Sequence, residues 1–266
     1  MDHMNKNLDQ PIAYGRTAEI YAWQDGQVLK LFYDWFGLED IKYEQRIAQA
    51  VHASGLPIPS VGEIIHINER IGLIYQRVEG VSMLEMMSRK PWNAYHYARR
   101  LAELQVEMHA SSIQADIPTQ RQKLINKICH AKALPANLRP KILTALETMP
   151  EGNRLCHGDF HPGNIMITGQ TEMIIDWIDT SLGNPLADLA RTTIIFLGAL
   201  ESGQIQNSFL KAFARIFHTI YIHHYFSFRP GGEQEYSRWL PIIAAARLSE
   251  NIPELEKWLI AQAEIV

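Results

Sequence analysis

The residues with the clearest chemical potential lie between positions 156 and 176. His157-Gly158-Asp159-Phe160-His161-Pro162-Gly163-Asn164 is a Gly/Pro-containing loop with two oxygen-donating side chains, Asp159 and Asn164, and it opens onto the apolar run 165–167. That run, the turn Thr168-Gly169-Gln170-Thr171 and the run 173–175 predict a β-hairpin. Pairing symmetrical about position 170 would set Asn164 opposite Asp176, with Cα atoms ~5 Å apart. An amide oxygen and a carboxylate converging on one point suit Mg²⁺, which takes one or two protein carboxylates and fills its other positions with water and substrate phosphates. Asp159 would then be placed to orient a hydroxyl and accept its proton. Asp and Asn also cap turns, but the hairpin geometry favours the metal reading for the three together.

A second pair of anomalies lies far upstream. Lys30 sits between Leu29 and Leu31 in a β-rich run, and Glu44 falls on the apolar stripe of a helical pattern, between Ile41 and Ile47/Ala48. A strand lysine can snorkel to water, whereas a carboxylate on an apolar stripe is costly without a partner. A Lys30–Glu44 ion pair resolves both.

The elements that must position these groups change character along the chain. Runs at 20–23, 28–32, 61–67 and 71–78 read as a meandering antiparallel sheet, with turns at Asp25-Gly26 and Asn68-Glu69-Arg70. One helix, about 38–52, interrupts it. From Ser82 onward helical patterns dominate: Tyr97, Leu101, Leu104 and Met108 form one stripe, and further helices are expected at 121–130, 137–148, 186–200, 206–226 and 236–264. The expected class is α+β, with a small β-rich lobe at 1–79 and a larger helical lobe at 80–266. A net charge of −4 with scattered basic residues argues against a nucleic-acid partner. The apolar run 192–200 is far below the ~20 residues of a membrane span. Two cysteines cannot build a disulfide framework, and MDHMNKNLDQ is not an apolar signal segment, so a cytoplasmic protein is expected.

The string from His157 to Asn164, followed by Ile175-Asp176-Trp177, resembles the signature of the aminoglycoside-phosphotransferase family, relatives of the protein kinases. The resemblance implies a protein-kinase-like two-lobed fold, with an antiparallel β-sheet N-lobe plus one helix and a mainly helical C-lobe. It makes Asp159 the catalytic base, Asn164 and Asp176 the magnesium ligands, and Lys30 with Glu44 the strand-lysine and helix-glutamate pair. His157 and Asp188, the latter in Gly183-Asn184-Pro185-Leu186-Ala187-Asp188, are implied supports of the catalytic loop. Gly15, Arg16, Thr17 and Ala18 resemble a short phosphate-covering loop, although neither the kinase glycine-rich pattern nor a GxxxxGKS/T loop is present. Backbone groups of 74–78 are implied to hold the purine of ATP or GTP. Leu104-Gln105 departs from the family's Leu-His pattern and leaves His109 alone.

The resemblance implies transfer of phosphate to a hydroxyl of a small molecule, from aminoglycosides to choline or homoserine. Asp179 and Glu250, with other acidic residues of the helical part, would favour a cationic acceptor. Two other readings are a catalytically idle kinase-like binding protein and a metal-dependent hydrolase using His157, Asp159, His161 and Asp176. The intact set Lys30, Glu44, Asp159, Asn164 and Asp176 argues against the first; the Asn-plus-Asp pair, suited to magnesium, argues against the second.

Overall fold

The computed structural model describes residues 3–4, 8–111, 113, 116–169, 171–203 and 205–266. The chain divides into two compact units, Met1–Ser82 with Asn164–Ile178, and Met83–Gly163 with Asp179–Val266. The boundary expected at 79/80 is therefore not a single crossing: the chain returns to the first unit for the hairpin that carries Asn164 and Asp176.

The first unit contains β1 (His3–Met4), β2 (Ala13–Tyr14), β3 (Ala18–Ala22), β4 (Gln27–Phe32), α1 (Leu38–His52), β5 (Val61–Ile67), β6 (Arg70–Gln76) and β7 (Val81–Ser82). Later in the chain, after β8 (Arg154–Cys156) of the second unit, come its β9 (Ile165–Thr168) and β10 (Thr171–Ile174). The main sheet has the order β1-β5-β6-β4-β3-β2. It is antiparallel apart from the short β1–β5 edge. It is not the plain meander expected, because β6 rather than β5 lies beside β4. Helix α1 intervenes between β4 and β5 and lets the chain skip a place. Leu73 of β6 is fully buried, whereas Gly62 and Glu63 of β5 are exposed, as suits a strand nearer the edge.

Alternation along β4 sends Leu29 and Leu31 to one face of the sheet and Lys30 and Phe32 to the other. Leu29 and Leu31 join Tyr21 and Ile67 in one core cluster. Phe32 joins Ala18, Ile41 and Leu73 in the cluster on the α1 side. Helix α1 buries Ile41, Glu44, Ile47, Ala48 and Val51. Glu39 and Asp40 in its first turn complement the positive end of the helix dipole. The hairpin β9–β10 pairs with β7 in a three-stranded sheet, order β10-β9-β7.

The second unit holds α2 (Met83–Arg89), α3 (Ala94–Ala110), α4 (Gln120–His130), α5 (Arg139–Thr148), β8, β11 (Ser181–Gly183), α6 (Pro185–Glu201), α7 (Ser208–Phe228), α8 (Glu233–Arg247) and α9 (Glu256–Ala263). The stripe Tyr97, Leu101, Leu104 and Met108 is buried in α3, which packs on α7 and its buried Phe217, Tyr221 and Tyr225. Each such side chain contributes about 1.5–3 kcal/mol through burial. The continuous helix expected at 236–264 is two helices. Asn251 turns left-handed at φ 50°, and the one-turn 3₁₀ segments Leu248–Glu250 and Pro253–Leu255 separate α8 from α9. Among the described residues no helix is long and apolar enough to cross a membrane.

Candidate active site

In the first unit a lysine is held between two carboxylates. Lys30 Nζ lies 2.7 Å from Glu44 Oε1 and 3.4 Å from Asp176 Oδ1. The Tyr75 hydroxyl donates to the same Glu44 oxygen at 2.8 Å. The strand alternation aims Lys30 at α1, and Glu44 comes from the buried stripe of that helix with only 3% of its side chain exposed. Burial alone would lower the lysine pKa, but the Asp176 and Glu44 carboxylates outweigh it and hold the ammonium above its ordinary value. Burial, joined by the Glu44 charge, pushes the Tyr75 phenol well up, so it stays a donor. Asp176 is the open member of the set, with 42% of its side chain exposed.

The hairpin register differs by one residue from the sequence expectation. Thr168 pairs with Thr171 and Ile165 with Ile174. Asn164 therefore faces Ile175, whose N–H donates to the Asn164 carbonyl at 3.0 Å. Asp176 is the next residue, not the partner. The cause is the loop, which has two residues rather than a symmetrical centre at 170. Gly169 enters it at φ 57°, a region open to glycine, while Gln170 lies outside the described residues. Past the ladder, Asp176 itself adopts φ 65°, one of three non-glycine residues with positive φ among those described. Left-handed backbone at a non-glycine residue is uncommon and concentrates at functional sites.

In the second unit β8 delivers the catalytic-loop candidates. Asp159 lies with its Oδ2 3.6 Å from His161 Nε2 and its Oδ1 3.8 Å from Arg191 Nη2. Burial would raise its pKa, but His161 and Arg191 outweigh that and hold the carboxyl well below the usual range. His157 is fully buried, and its Nδ1 accepts the Asp159 N–H at 3.1 Å. The imidazole thus braces the loop. Gly158 has φ 79°, and a Cβ there would stand 2.5 Å from the Asp179 carbonyl oxygen, so only glycine fits. The His161 Nδ1 accepts the Gly163 N–H at 3.0 Å.

Asp188 ties this loop to the helices. Asn184 caps α6 by accepting from the Leu186 N–H, and Pro185 occupies the first turn, which sets Asp188 near the helix N-terminus. Its Oδ1 accepts the Gly158 N–H at 2.7 Å and its Oδ2 the His157 N–H at 3.2 Å. His109 Nε2 and Gln105 Nε2 reach the same Oδ2 at 3.1 and 3.4 Å. Burial opposes the charge, yet His109 and the backbone donors keep the Asp188 pKa lowered. Burial also lowers the His109 pKa, so a neutral ring donates from Nε2 while its Nδ1 accepts the Tyr225 hydroxyl at 2.8 Å.

The remaining expected residues fall as follows. Gly15, Arg16 and Thr17 link β2 to β3, which Ala18 opens, and the turn is closed by the Gly15 N–H to the Ala18 carbonyl at 2.8 Å. The Gln76 N–H is spent on the Ser60 carbonyl and the Arg77 N–H on the Gly26 carbonyl, so these two donors of the 74–78 segment are engaged within the unit. Asp179 is paired with Lys127 Nζ at 3.0 Å. Glu250 is paired with Arg191 Nη2 at 2.5 Å and Arg247 Nε at 3.4 Å. Neither carboxylate is left to face a cation alone.

Sequence reasoning missed Tyr75, Lys127 and Arg191. The signal for Arg191 was present: a guanidinium in the apolar run Leu189-Ala190-Arg191 of a helix, the same anomaly that exposed Glu44. Among the described residues no group of three His, Cys, Asp or Glu side chains is arranged to hold a metal ion.

Comparison with known proteins is consistent with this architecture. Residues 28–223 match the phosphotransferase enzyme family designated APH. No protein of curated function matches the sequence significantly. Among solved structures, a thermostable mutant of aminoglycoside phosphotransferase APH(4)-Ia in its apo form has a TM-score of 0.67 at 17% identity, over 98% of this chain and 93% of that one. A choline/ethanolamine kinase family protein from Mesorhizobium loti scores 0.63 at 15% identity, over 98% and 87%. Amicoumacin kinase hAmiN, solved with AMP-PNP, Ca²⁺ and Ami, scores 0.67 at 12% identity, over 99% and 89%. These likenesses are of fold and agree with the expected kinase-like α+β class. With the family match spanning most of its length, the chain belongs to the APH phosphotransferase enzyme family.

Proposed function

We propose that this protein transfers the γ-phosphate of ATP to a hydroxyl of a small molecule, with Asp159 receiving the hydroxyl proton. The observation that carries this reading is Lys30 held between Glu44 and Asp176, because it sets a cation beside an exposed carboxylate of metal-ligand type. Glu44, itself held by the Tyr75 hydroxyl, fixes the lysine, and the ammonium steadies the nonreacting phosphates. Asn164 and Asp176 would hold Mg²⁺. One amide oxygen and one partly exposed carboxylate fit an ion that keeps several waters and takes its other oxygens from phosphates. When bound, it supplies positive charge that offsets the charge of the phosphate chain.

Asp159 is a weak base, since His161 and Arg191 hold its pKa low. That suits a loose phosphoryl-transfer step. The carboxylate first accepts a hydrogen bond from the acceptor hydroxyl and so orients the oxygen. The new bond forms between that oxygen and the γ-phosphorus, the bond from the γ-phosphorus to the bridging oxygen breaks, and ADP leaves with the electron pair. The proton passes to Asp159 and then to water. His157 and Asp188 keep the loop in place. The turn at Gly15, Arg16, Thr17 and Ala18 covers the phosphates, with the Gly15 N–H itself spent on the Ala18 carbonyl, and the segment 74–78 receives the purine through backbone groups other than the engaged Gln76 and Arg77 N–H donors. Free thiols at Cys129 and Cys156 fit a reducing cytoplasm.

The test is ADP release with ATP and with GTP across a panel of hydroxylated acceptors, with and without Mg²⁺. Acceptor-dependent, Mg²⁺-dependent ADP release supports the reading. Mg·ATP binding without turnover of any acceptor would favour the idle binding protein instead.

A further inference from the structure

Asp159 can act only if its loop presents the carboxylate in one direction, and within the second unit that loop is gripped at Gly158. The Gly158 N–H donates to Asp188 Oδ1 at 2.7 Å, and the Gly158 carbonyl accepts from Arg191 Nε at 2.9 Å. Asp188 and Arg191 stand three apart on α6, so one face of that helix takes both backbone groups. The carbonyl belongs to the planar peptide that joins Gly158 to Asp159, and the N–H of the same peptide donates to His157 Nδ1 at 3.1 Å. Holding both sides of that plane sets the direction in which the Asp159 side chain leaves the backbone.

Arg191 is itself held in place. Its side chain is 11% exposed, and its Nη2 lies 2.5 Å from Oε1 of an equally buried Glu250. Glu250 Oε2 lies 3.4 Å from Arg247 Nε, and Arg247 Nη1 donates to the Ile194 carbonyl at 2.7 Å, which returns the run of contacts to α6. Glu250 ends the 3₁₀ turn after α8, where the left-handed Asn251 redirects the chain. Burial would lower the Arg191 pKa, but Glu250, Asp159 and Asp179 outweigh it and the guanidinium stays charged. Its Nη2 stands 3.8 Å from Asp159 Oδ1, close enough to act by charge and too far for a hydrogen bond. The fork therefore holds the backbone of the loop and Glu250, not the reacting carboxylate.

Resting on the phosphotransfer reading above, we propose that Arg191 is a positioning residue for Asp159 and that Glu250 orients it, the guanidinium holding the Gly158–Asp159 peptide through Nε and taking its own direction from Glu250 through Nη2. Glu250 thereby serves the catalytic loop from the turn after α8 rather than meeting the acceptor. The arrangement needs two nitrogens in a fixed plane, one for the carbonyl and one for the carboxylate, and lysine offers one. A misplacement of about 1 Å at the reacting group is enough to slow transfer by about 10²-fold.

The experiment measures single-turnover transfer from Mg·ATP to an acceptor that the wild type turns over, in wild type, Arg191→Met, Arg191→Lys, Glu250→Gln and, as a control, the exposed Lys257→Gln. Rates are expressed per Mg·ATP site counted by calorimetry, which removes any misfolded fraction, and hydrogen exchange of the peptide 157–163 reads the loop without reference to activity. The expected result is a maximal rate slowed by about 10²-fold in both Arg191 variants and by about tenfold in Glu250→Gln, with Mg·ATP affinity and the half-saturating acceptor concentration within about threefold of wild type. Exchange of the loop should quicken in the same three variants, and the control should match the wild type in every reading. Wild-type rates in Arg191→Lys would show that charge alone suffices, and a loss confined to acceptor saturation would make Arg191 a substrate contact. Either overturns the inference, as does a loss that vanishes once sites are counted or loop exchange unchanged in Arg191→Met. A wild type that binds Mg·ATP and transfers to no acceptor sinks the phosphotransfer reading instead, and the exchange measurement then decides by itself whether Arg191 holds the loop.

Discussion

Gln105 and His109, one turn apart on α3, both donate to Oδ2 of Asp188, at 3.4 and 3.1 Å. Gln105 is held by the Tyr221 hydroxyl at its own oxygen, and His109 by the Tyr225 hydroxyl at Nδ1. Two side chains of α3 thus reach the buried carboxylate together with the Gly158 and His157 N–H groups. His109→Ala leaves that carboxylate short of one donor in a buried site and is expected to cost about 2–4 kcal/mol. His109→Gln should recover part of it. Chemical denaturation of both variants checks this.

Lys30→Ala leaves Glu44 buried beside the Tyr75 hydroxyl and removes the cation from the proposed phosphate site. The expected outcome is a raised KM for ATP and a turnover reduced by about 10²-fold, the scale of losing one preorganised electrostatic group. Steady-state kinetics with varied ATP measures both; wild-type kinetics in this variant would refute the assignment.

The positive φ of Asp176 allows its backbone and chemical roles to be separated. Asn tolerates left-handed backbone, so Asp176→Asn should hold stability to within about 0.5 kcal/mol while weakening the Mg²⁺ dependence of turnover. Asp176→Ala should lose activity and, in addition, about 1 kcal/mol of stability. Melting curves and a Mg²⁺ titration of the rate distinguish the two.

Stability should fall on acidification. Burial pushes the His218 pKa down to about 4, with its Nε2 3.0 Å from the Thr193 hydroxyl. Its folded value lies below its ordinary value of 6.5. The stabilisation is therefore fully present above pH 6.5 and is lost as pH falls toward about 4, by up to roughly 3 kcal/mol. His109, lowered by burial, acts in the same direction. His218→Gln should flatten the Tm profile between pH 6.5 and 4.5.

Much of this was legible in the residues, for identifiable reasons. Glu44 was found because a carboxylate on an apolar stripe needs a partner, and Lys30 meets it at 2.7 Å. The β3–β4 and β5–β6 hairpins follow from Asp25-Gly26 and Asn68-Glu69, turn residues whose left-handed members, Gly26 and Asn68, have φ of 72° and 52°. What escaped depends on geometry that sequence does not carry. A one-residue change in loop length moved Asn164 from Asp176 to Ile175, and the place of β6 beside β4 is a matter of topology. The partners of the acidic residues Asp179 and Glu250 were not legible either, because Lys127 and Arg191 lie far from them in sequence and close in space.

The most direct test is single-turnover phosphate transfer by Asp159→Asn, using an acceptor turned over by the wild type. The substitution removes the proposed proton acceptor but keeps the shape of the side chain. Mg·ATP affinity should stay within about threefold of wild type while transfer falls by 10²-fold or more, the scale of general acid–base catalysis. Transfer at the wild-type rate with Asn at this position would contradict the central role given to Asp159.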